Sequence, residues 1–255
     1  MGFKVSFIGS GNVATNLAFA LDKAGHTINQ VISRNEEKAK LLARNFGAYY
    51  GAELSKMYKD SDFVIICVTD SAYEEILSNL PRGMKAIVCH TAGAVPMETL
   101  ESYSGDYGVL YPLQSFRKET IKDFLDVPVF LEYSSKEVKK KLFNLADSIS
   151  NTVVEVNSEE REKYHLSAVF ANNFTNLMYT LADSYLTKEG LDFKYLHPII
   201  KETADRLKQG KPELWQTGPA KRKDFQVIEK HISMLEDDRK AMIYQQLSNF
   251  LITDS

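Results

Sequence analysis

Phe3-Lys4-Val5-Ser6-Phe7-Ile8-Gly9-Ser10-Gly11-Asn12-Val13-Ala14 is the stretch that decides the fold. Residues 4–8 alternate and are rich in β-branched and aromatic side chains, the pattern of a strand. Gly9-Ser10-Gly11 follows at once, and residues 12–23 carry the pattern of a helix. Strand, glycine turn and helix in that order give the string Gly-x-Gly-x-x-Ala its meaning. Gly9 allows the tight turn, Gly11 lets backbone approach a pyrophosphate, and Ala14 lets the helix pack close to the strand. The first free N–H groups of the helix then face the anion. Gly9, Ser10, Gly11, Asn12 and Val13 are therefore candidate cofactor contacts.

Bulk properties narrow the partners. The 255 residues allow one large domain or two ordinary ones. With 44% apolar and 25% charged residues the chain has a globular balance, and a net charge of −3 offers no basic surface for nucleic acid. No apolar run reaches the ~20 residues of a membrane helix, so no membrane association is expected. The first strand leaves no room for a signal peptide, and a cytoplasmic location is expected. Cys67 and Cys89 end apolar runs and read as small buried hydrophobes rather than a disulfide. No Cys/His spacing suggests a metal site.

The helix over 12–23 carries an apolar stripe that fits a sheet, and Gly25 closes it. Residues 28–33 read as the second strand. An acidic residue near its end would hold the ribose hydroxyls of NAD. This chain has Ser33-Arg34-Asn35 there instead. An arginine pairs with the dianionic 2′-phosphate of NADP, so Ser33 and Arg34 predict NADP(H); the alternative is a solvated start to the next helix. That helix is expected over 36–46 and a short strand at 49–50.

Residues 63–68 form a continuous apolar run suited to a central parallel strand. It ends in Val68-Thr69-Asp70-Ser71, where Val68 and Thr69 are placed beside the adenosine or ribose. Asp70 and Ser71 fit either that role or a cap for the helix over 73–80. Residues 85–89 form the fifth strand, followed by His90-Thr91-Ala92-Gly93-Ala94. Ala92 and Gly93 are expected at the nicotinamide end; His90 reads as an acid/base group or as a hydrogen-bonded structural histidine. A short strand at 109–110 leads into Tyr111-Pro112-Leu113-Gln114-Ser115-Phe116, a loop suited to floor a substrate pocket, with Gln114 as a substrate contact. Strands over 127–131 and 153–156 flank a helix over 136–150.

From residue 158 helical periodicity takes over. Helices are expected over 159–188, 191–207, 224–235 and 237–252, with a loop over 210–223. The expected layout is α/β: a doubly wound parallel Rossmann domain over 1–157, then an all-α substrate and dimerisation domain over 158–255. His165, Asn172 and Asn176 share one face of the long helix at spacings of seven and four. An imidazole and carboxamides in an apolar stretch are costly to bury unpaired, so they either line a cavity toward the nicotinamide or bond helix to helix in the core or across a dimer. His165 is the candidate proton donor, Asn172 the orienting group and Asn176 a substrate contact. In Thr217-Gly218-Pro219-Ala220-Lys221-Arg222-Lys223-Asp224, Arg222 is a candidate anion contact or part of a solvated basic loop, and Asp224 a helix cap.

Together the GSGNVA turn, Ser33-Arg34, His90-Thr91-Ala92-Gly93, the 111–116 loop, the helix from His165 to Asn173 and Gly218-Pro219-Ala220-x-Arg222-x-Asp224 resemble one family. It is a poorly characterised bacterial family of Rossmann-like proteins with a C-terminal domain of unknown function. Its plan is similar to deazaflavin-dependent NADP reductases, pyrroline-5-carboxylate reductases and 6-phosphogluconate dehydrogenases. The resemblance implies a C-terminal domain like that of 6-phosphogluconate dehydrogenase, a homodimer through it, and an NADP-dependent oxidoreductase. Hydride would pass between the nicotinamide and a small carbonyl or imine substrate held between the domains. The alternative is a non-catalytic NADP-binding sensor or scaffold. Hydroxyacid dehydrogenases of this plan carry Lys-x-x-x-Asn on the helix; here Ala168 stands four residues before Asn172, so hydroxyacid oxidation is not expected.

Overall fold

The structure is a computed structural model that describes residues 2–253. Strands and helices alternate through the first half: β1 (Lys4–Ile8), α1 (Asn12–Lys23), β2 (Thr27–Ile32), α2 (Glu36–Ala43), β3 (Tyr49–Gly51), β4 (Phe63–Ile66), α3 (Tyr73–Ser78) and β5 (Ile87–His90). Then come β6 (Tyr107–Pro112), β7 (Val129–Tyr133), α4 (Lys136–Asp147) and β8 (Val153–Glu155). The strands form one sheet in the order β3-β2-β1-β4-β5-β6-β7-β8. All neighbours run parallel except β6 and β7, which are antiparallel. The chain runs outward from β1 to β3 and returns to β4 on β1's other side. A crevice outside the carboxyl ends of β1 and β4 follows from that reversal.

Alternation along each strand sends side chains to opposite faces. Val5 and Phe7 join a cluster with Leu17 and Leu21 of α1. Ile8 joins a second cluster with Ile76 and Leu77 of α3. Helices cover both faces, so all four residues of β4 are buried. This explains the apolar run without alternation. Each buried leucine contributes about 1.5–3 kcal/mol, and the pair on α1 holds the helix whose N-terminus opens on the crevice.

Several expected elements shift. β4 stops at Ile66, so Val68 and Thr69 lie in the loop beyond it. Residues 70–72 form a 3-10 turn, α3 is shorter than expected, and no side chain caps it. β6 is six residues long rather than two, because β7 pairs with it from Gly108 to Pro112. That antiparallel pairing sets Tyr111 opposite Phe130 and Val109 opposite Glu132. All four side chains therefore share one face.

The helix expected over 159–188 is interrupted. α5 spans Ser158–Ala168, Val169–Phe174 is a π-helical turn, and α6 spans Thr175–Lys188. A π turn adds one residue to a helix, a shift too small for apolar periodicity to reveal. α5 opens with a capping box: Asn157 Oδ1 accepts from the Glu160 N–H, and Glu160 Oε2 accepts from the Asn157 N–H.

Two compact units divide between Asn172 and Asn173. The sheet ends at Glu155, yet α5 belongs to the first unit, held there by the buried Arg161. The second unit continues with α7 (His197–Arg206), α8 (Phe225–Ser233) and α9 (Asp238–Thr253). The expected helix over 191–207 begins as a 3-10 turn at Phe193–Leu196. α8 and α9 are joined by a 2.8 Å hydrogen bond between His231 Nδ1 and Tyr244 Oη. Among the described residues no helix is long and apolar enough to cross a membrane.

Candidate functional site

The crevice begins at the glycine turn. Gly9 has φ 110°, and a Cβ there would lie 2.1 Å from the Cys67 carbonyl oxygen. Only glycine fits that position. A Cβ at Gly11 would meet nothing within 4 Å, so the space outside it is open. Gly11 is the N-cap of α1, where no side chain caps the helix and no acidic residue occupies the first turn. An uncapped, uncrowded helix N-terminus is suited to a diphosphate.

Next to it, Ser10 Oγ donates to Ser33 Oγ at 3.0 Å, so the hydroxyls of two separate loops meet. Arg34 precedes the true N-cap of α2, Asn35, whose side chain accepts from the Lys38 N–H. The Arg34 guanidinium lies 3.9 Å from Glu75 with both side chains exposed, a contact worth little in water and open to exchange for a phosphate. Lys38 lines the same space; in sequence it is indistinguishable from a solvated helix residue.

A cleft of about 730 Å³ connects these groups. Gly9, Ser10, Gly11, Asn12, Val13, Ser33, Arg34, Val68, Thr69, Ala92, Gly93, Gln114 and His165 all line it, as do Tyr111 and Lys118. Every lining residue belongs to the first unit. The Asn12 side chain is engaged within the protein, since its Oδ1 accepts from the Lys118 N–H at 3.2 Å. Asn16 assists, donating to the Arg117 carbonyl and accepting from the Lys122 N–H. The two carboxamides tie the loop after β6 to the start of α1. Gln114 Oε1 accepts from the Ser115 N–H.

The two candidate histidines separate clearly. His90 is fully buried and does not line the cleft. Its Nδ1 accepts from the Ala92 N–H at 3.2 Å, and its Nε2 has no partner. Burial, and then the charge of Arg161, push its pKa down to about 3. His165 lies at the cleft. Its Nδ1 is 2.9 Å from Tyr111 Oη, and the two rings meet edge to face. Burial raises the Tyr111 pKa, which keeps the phenol protonated at neutral pH. The imidazole sits directly on Gly93: a Cβ there would be 2.4 Å from His165 Cγ and Nδ1.

The remaining candidates lie elsewhere. Asn172, in the π turn, is exposed and is not among the cleft-lining residues. Asn176 on α6 and Arg222 before α8 are exposed residues of the second unit. The one-face alignment with His165 presumes an unbroken α-helix, and the π turn between them removes that spacing. Asp224 caps α8 as expected, accepting from the Val227 N–H. Cys67 and Cys89 are free and buried, with burial pushing the Cys67 thiol up to about 12.

Comparison with known proteins places this geometry. The solved structure of a "putative NADP oxidoreductase" from Bacteroides fragilis is 40% identical, with 99% of this chain and 98% of that one covered and a TM-score of 0.93. This chain belongs to that NADP oxidoreductase family. A family described as coenzyme F420-dependent NADP oxidoreductase matches residues 4–93 of this chain, and a domain of unknown function, DUF2520, matches residues 127–250. The fold is shared with pyrroline-5-carboxylate reductase from Streptococcus pyogenes at 14% identity, with 99% of each chain covered and a TM-score of 0.66. It is shared as well with a reductive aminase from Aspergillus terreus in complex with NADPH and ethyl levulinate. There identity is 14%, 98% of this chain and 93% of that one are covered, and the TM-score is 0.70. No curated protein matches this chain.

Two features of the cleft and its support are not visible in the sequence. Tyr111 reads there only as part of a pocket floor, because its bond to His165 depends on strand register. Arg161 stands in Ser-Glu-Glu-Arg-Glu-Lys, which looks like a solvated helix start. It is instead 1% exposed and paired with buried Glu132.

Proposed function

We propose that the protein is an NADP(H)-dependent reductase of a small carbonyl or imine compound, with His165 as the proton donor and Tyr111 as its partner. The observation that carries this reading is the 2.9 Å contact between Tyr111 Oη and His165 Nδ1, beside Gly93 in a glycine-turn cleft. The cofactor supplies the hydride donor and acceptor when bound. Gly9, Gly11 and the α1 N–H groups bind its diphosphate; Ser10, Ser33, Arg34 and Lys38 bind its 2′-phosphate.

At the other end of the cleft the chain supplies the proton. Reduction of a C=O or C=N bond adds hydride to carbon and a proton to the heteroatom. As imidazolium, His165 donates Nδ1–H to the Tyr111 oxygen and holds Nε2–H for the substrate. Among the described residues Nε2 has no hydrogen-bond partner. Giving up its proton leaves neutral imidazole, which takes another from water. Gln114 is the cleft-lining carboxamide proposed to orient the substrate; for Asn172, exposed in the π turn and off the cleft, an orienting role is a proposal that KM of its alanine variant tests. For Asn176 and Arg222 a substrate contact stays a proposal that KM of their alanine variants tests.

We also propose a homodimer built through the second unit. Its apolar side chains are largely exposed: Leu214 by 72%, Met242 and Phe250 by 64% each, Ile199 by 63%. A surface of that kind calls for cover, and a second copy is the partner always at hand. The two free thiols fit a reducing compartment, the cytoplasm.

The test is NADPH oxidation with a panel of 2-oxo acids, aldehydes and cyclic imines. With an accepted substrate, His165→Ala should lower kcat by about 10²–10⁴-fold and leave NADPH binding nearly unchanged. Tyr111→Phe should cost less. Full turnover in His165→Ala would remove it as donor. Tight NADPH binding with no turnover on any substrate would favour the sensor.

A further inference from the structure

Arg161 is a cationic side chain of the first unit that is only 1% exposed. All five of its N–H groups are used. Nε donates to Glu132 Oε1 at 2.5 Å; Nη1 donates to the carbonyls of Ala92 and Gly93 at 2.7 and 2.8 Å; Nη2 donates to the Val95 carbonyl at 2.7 Å and to Ser158 Oγ at 3.1 Å. Ser158 Oγ in turn donates to Glu132 Oε2 and accepts from the Met97 N–H. One guanidinium therefore joins α5, β7 and the loop after β5.

Stability alone is a poor reason for this arrangement. Burying two charges costs several kcal/mol per ion, and apolar replacement of a buried pair is often neutral or stabilising. Placement is the better reason. Val109, Tyr111, Phe130 and Glu132 share one face of the β6–β7 ladder. Arg161 and His165 are one helical turn apart on α5 and share one face of it. The helix meets the ladder through two matched contacts, Arg161 with Glu132 and His165 with Tyr111, with Tyr164 edge to face on Phe130 alongside them. The same Arg161 grips the carbonyls on both sides of the spot where the His165 ring rests on Gly93.

We infer that Arg161 is a positioning residue: its buried pair with Glu132 holds the 91–95 loop, and with it the nicotinamide end of the cofactor, against His165 and Tyr111. This rests on the cofactor reading above. It separates the cofactor into two halves, one governed by the glycine turn and Arg34, the other by Arg161.

The experiment titrates the full chain with NADPH and with adenosine 2′,5′-bisphosphate, which lacks the nicotinamide half. Two proteins are compared with the unaltered one. Arg161→Met with Glu132→Leu keeps apolar volume and removes both charges. Arg161→Lys keeps a charge opposite Glu132 but has three donors where five are used. Both should bind the bisphosphate within about twofold of the unaltered protein, as for separated sites. NADPH should bind about tenfold or more weakly, the scale of one lost charge-assisted hydrogen bond. Unchanged NADPH affinity in either folded variant would overturn the inference. Equal weakening of both ligands would also overturn it, by showing general loosening. Failure of the unaltered protein to bind NADPH would instead strike the cofactor reading beneath it.

Discussion

Gly93 and His165 compete for one volume. A methyl at position 93 would sit 2.4 Å from the imidazole, so the ring has to swing and break its bond to Tyr111. Gly93→Ala should therefore destabilise the fold by about 1–3 kcal/mol, as overpacking does. In a His165→Ala background the same substitution should cost almost nothing. Urea titration of the four proteins in that cycle checks this; additive effects would mean the two residues do not share space. His90 gives a second residue-scale expectation. Its folded pKa is pushed down to about 3 from an ordinary 6.5. Between those values the unfolded chain binds one more proton. The stabilising contribution is complete above pH 6.5 and is lost as pH falls toward 3, at about 1.4 kcal/mol per pH unit. His90→Asn, whose Oδ1 can still accept from the Ala92 N–H, should flatten that limb of a stability-versus-pH curve. An unchanged limb would show that His90 titrates normally. At this scale the places of the glycines, Ser33, Arg34 and His165 on the cleft are legible in sequence because each carries local backbone or side-chain chemistry. Tyr111 and Arg161 are not. Their partners, His165 and Glu132, are 54 and 29 residues away, and register decides the meetings.

Among the elements, α5 couples the sheet to the proposed proton donor, His165. Its first turn holds Ser158 and Arg161, and its cap is Asn157. Loss of that capping box in Asn157→Ala should cost about 1 kcal/mol, read as a melting point lower by about 2–4 °C. No shift would mean that the first turn is held by Arg161 alone. Strand and helix order through β5 follows from period and glycine position, since the buried run at 63–66 and the stripe on α1 are strong signals. What periodicity misses is the π turn at Val169–Phe174. One inserted residue rotates all that follows by about 100° yet leaves composition untouched, so the expected alignment of Asn172 and Asn176 with His165 does not survive it. β6 is also longer than expected, because its outer half exists only by pairing with β7.

For the molecule as a whole, the contrast is between a first unit with three packed clusters and a second unit in which, among the described residues, few are buried: Ala220, Ile228 and Ser248. Sedimentation should give a dimer that dissociates on dilution, and Met242→Asp with Phe250→Asp on α9 should shift it to monomer. A monomer at all concentrations would refute assembly through this surface. The cleft of the first unit is proposed to hold NADP(H), with its extra phosphate at Ser33 and Arg34 and its reactive end at Gly93. Calorimetric titration with NADPH and NADH tests it most directly. Saturation at one site per chain is expected, with NADPH at least about tenfold tighter and that preference abolished in Arg34→Ala. Equal affinity for the two nucleotides, or no saturable heat with either, would contradict it.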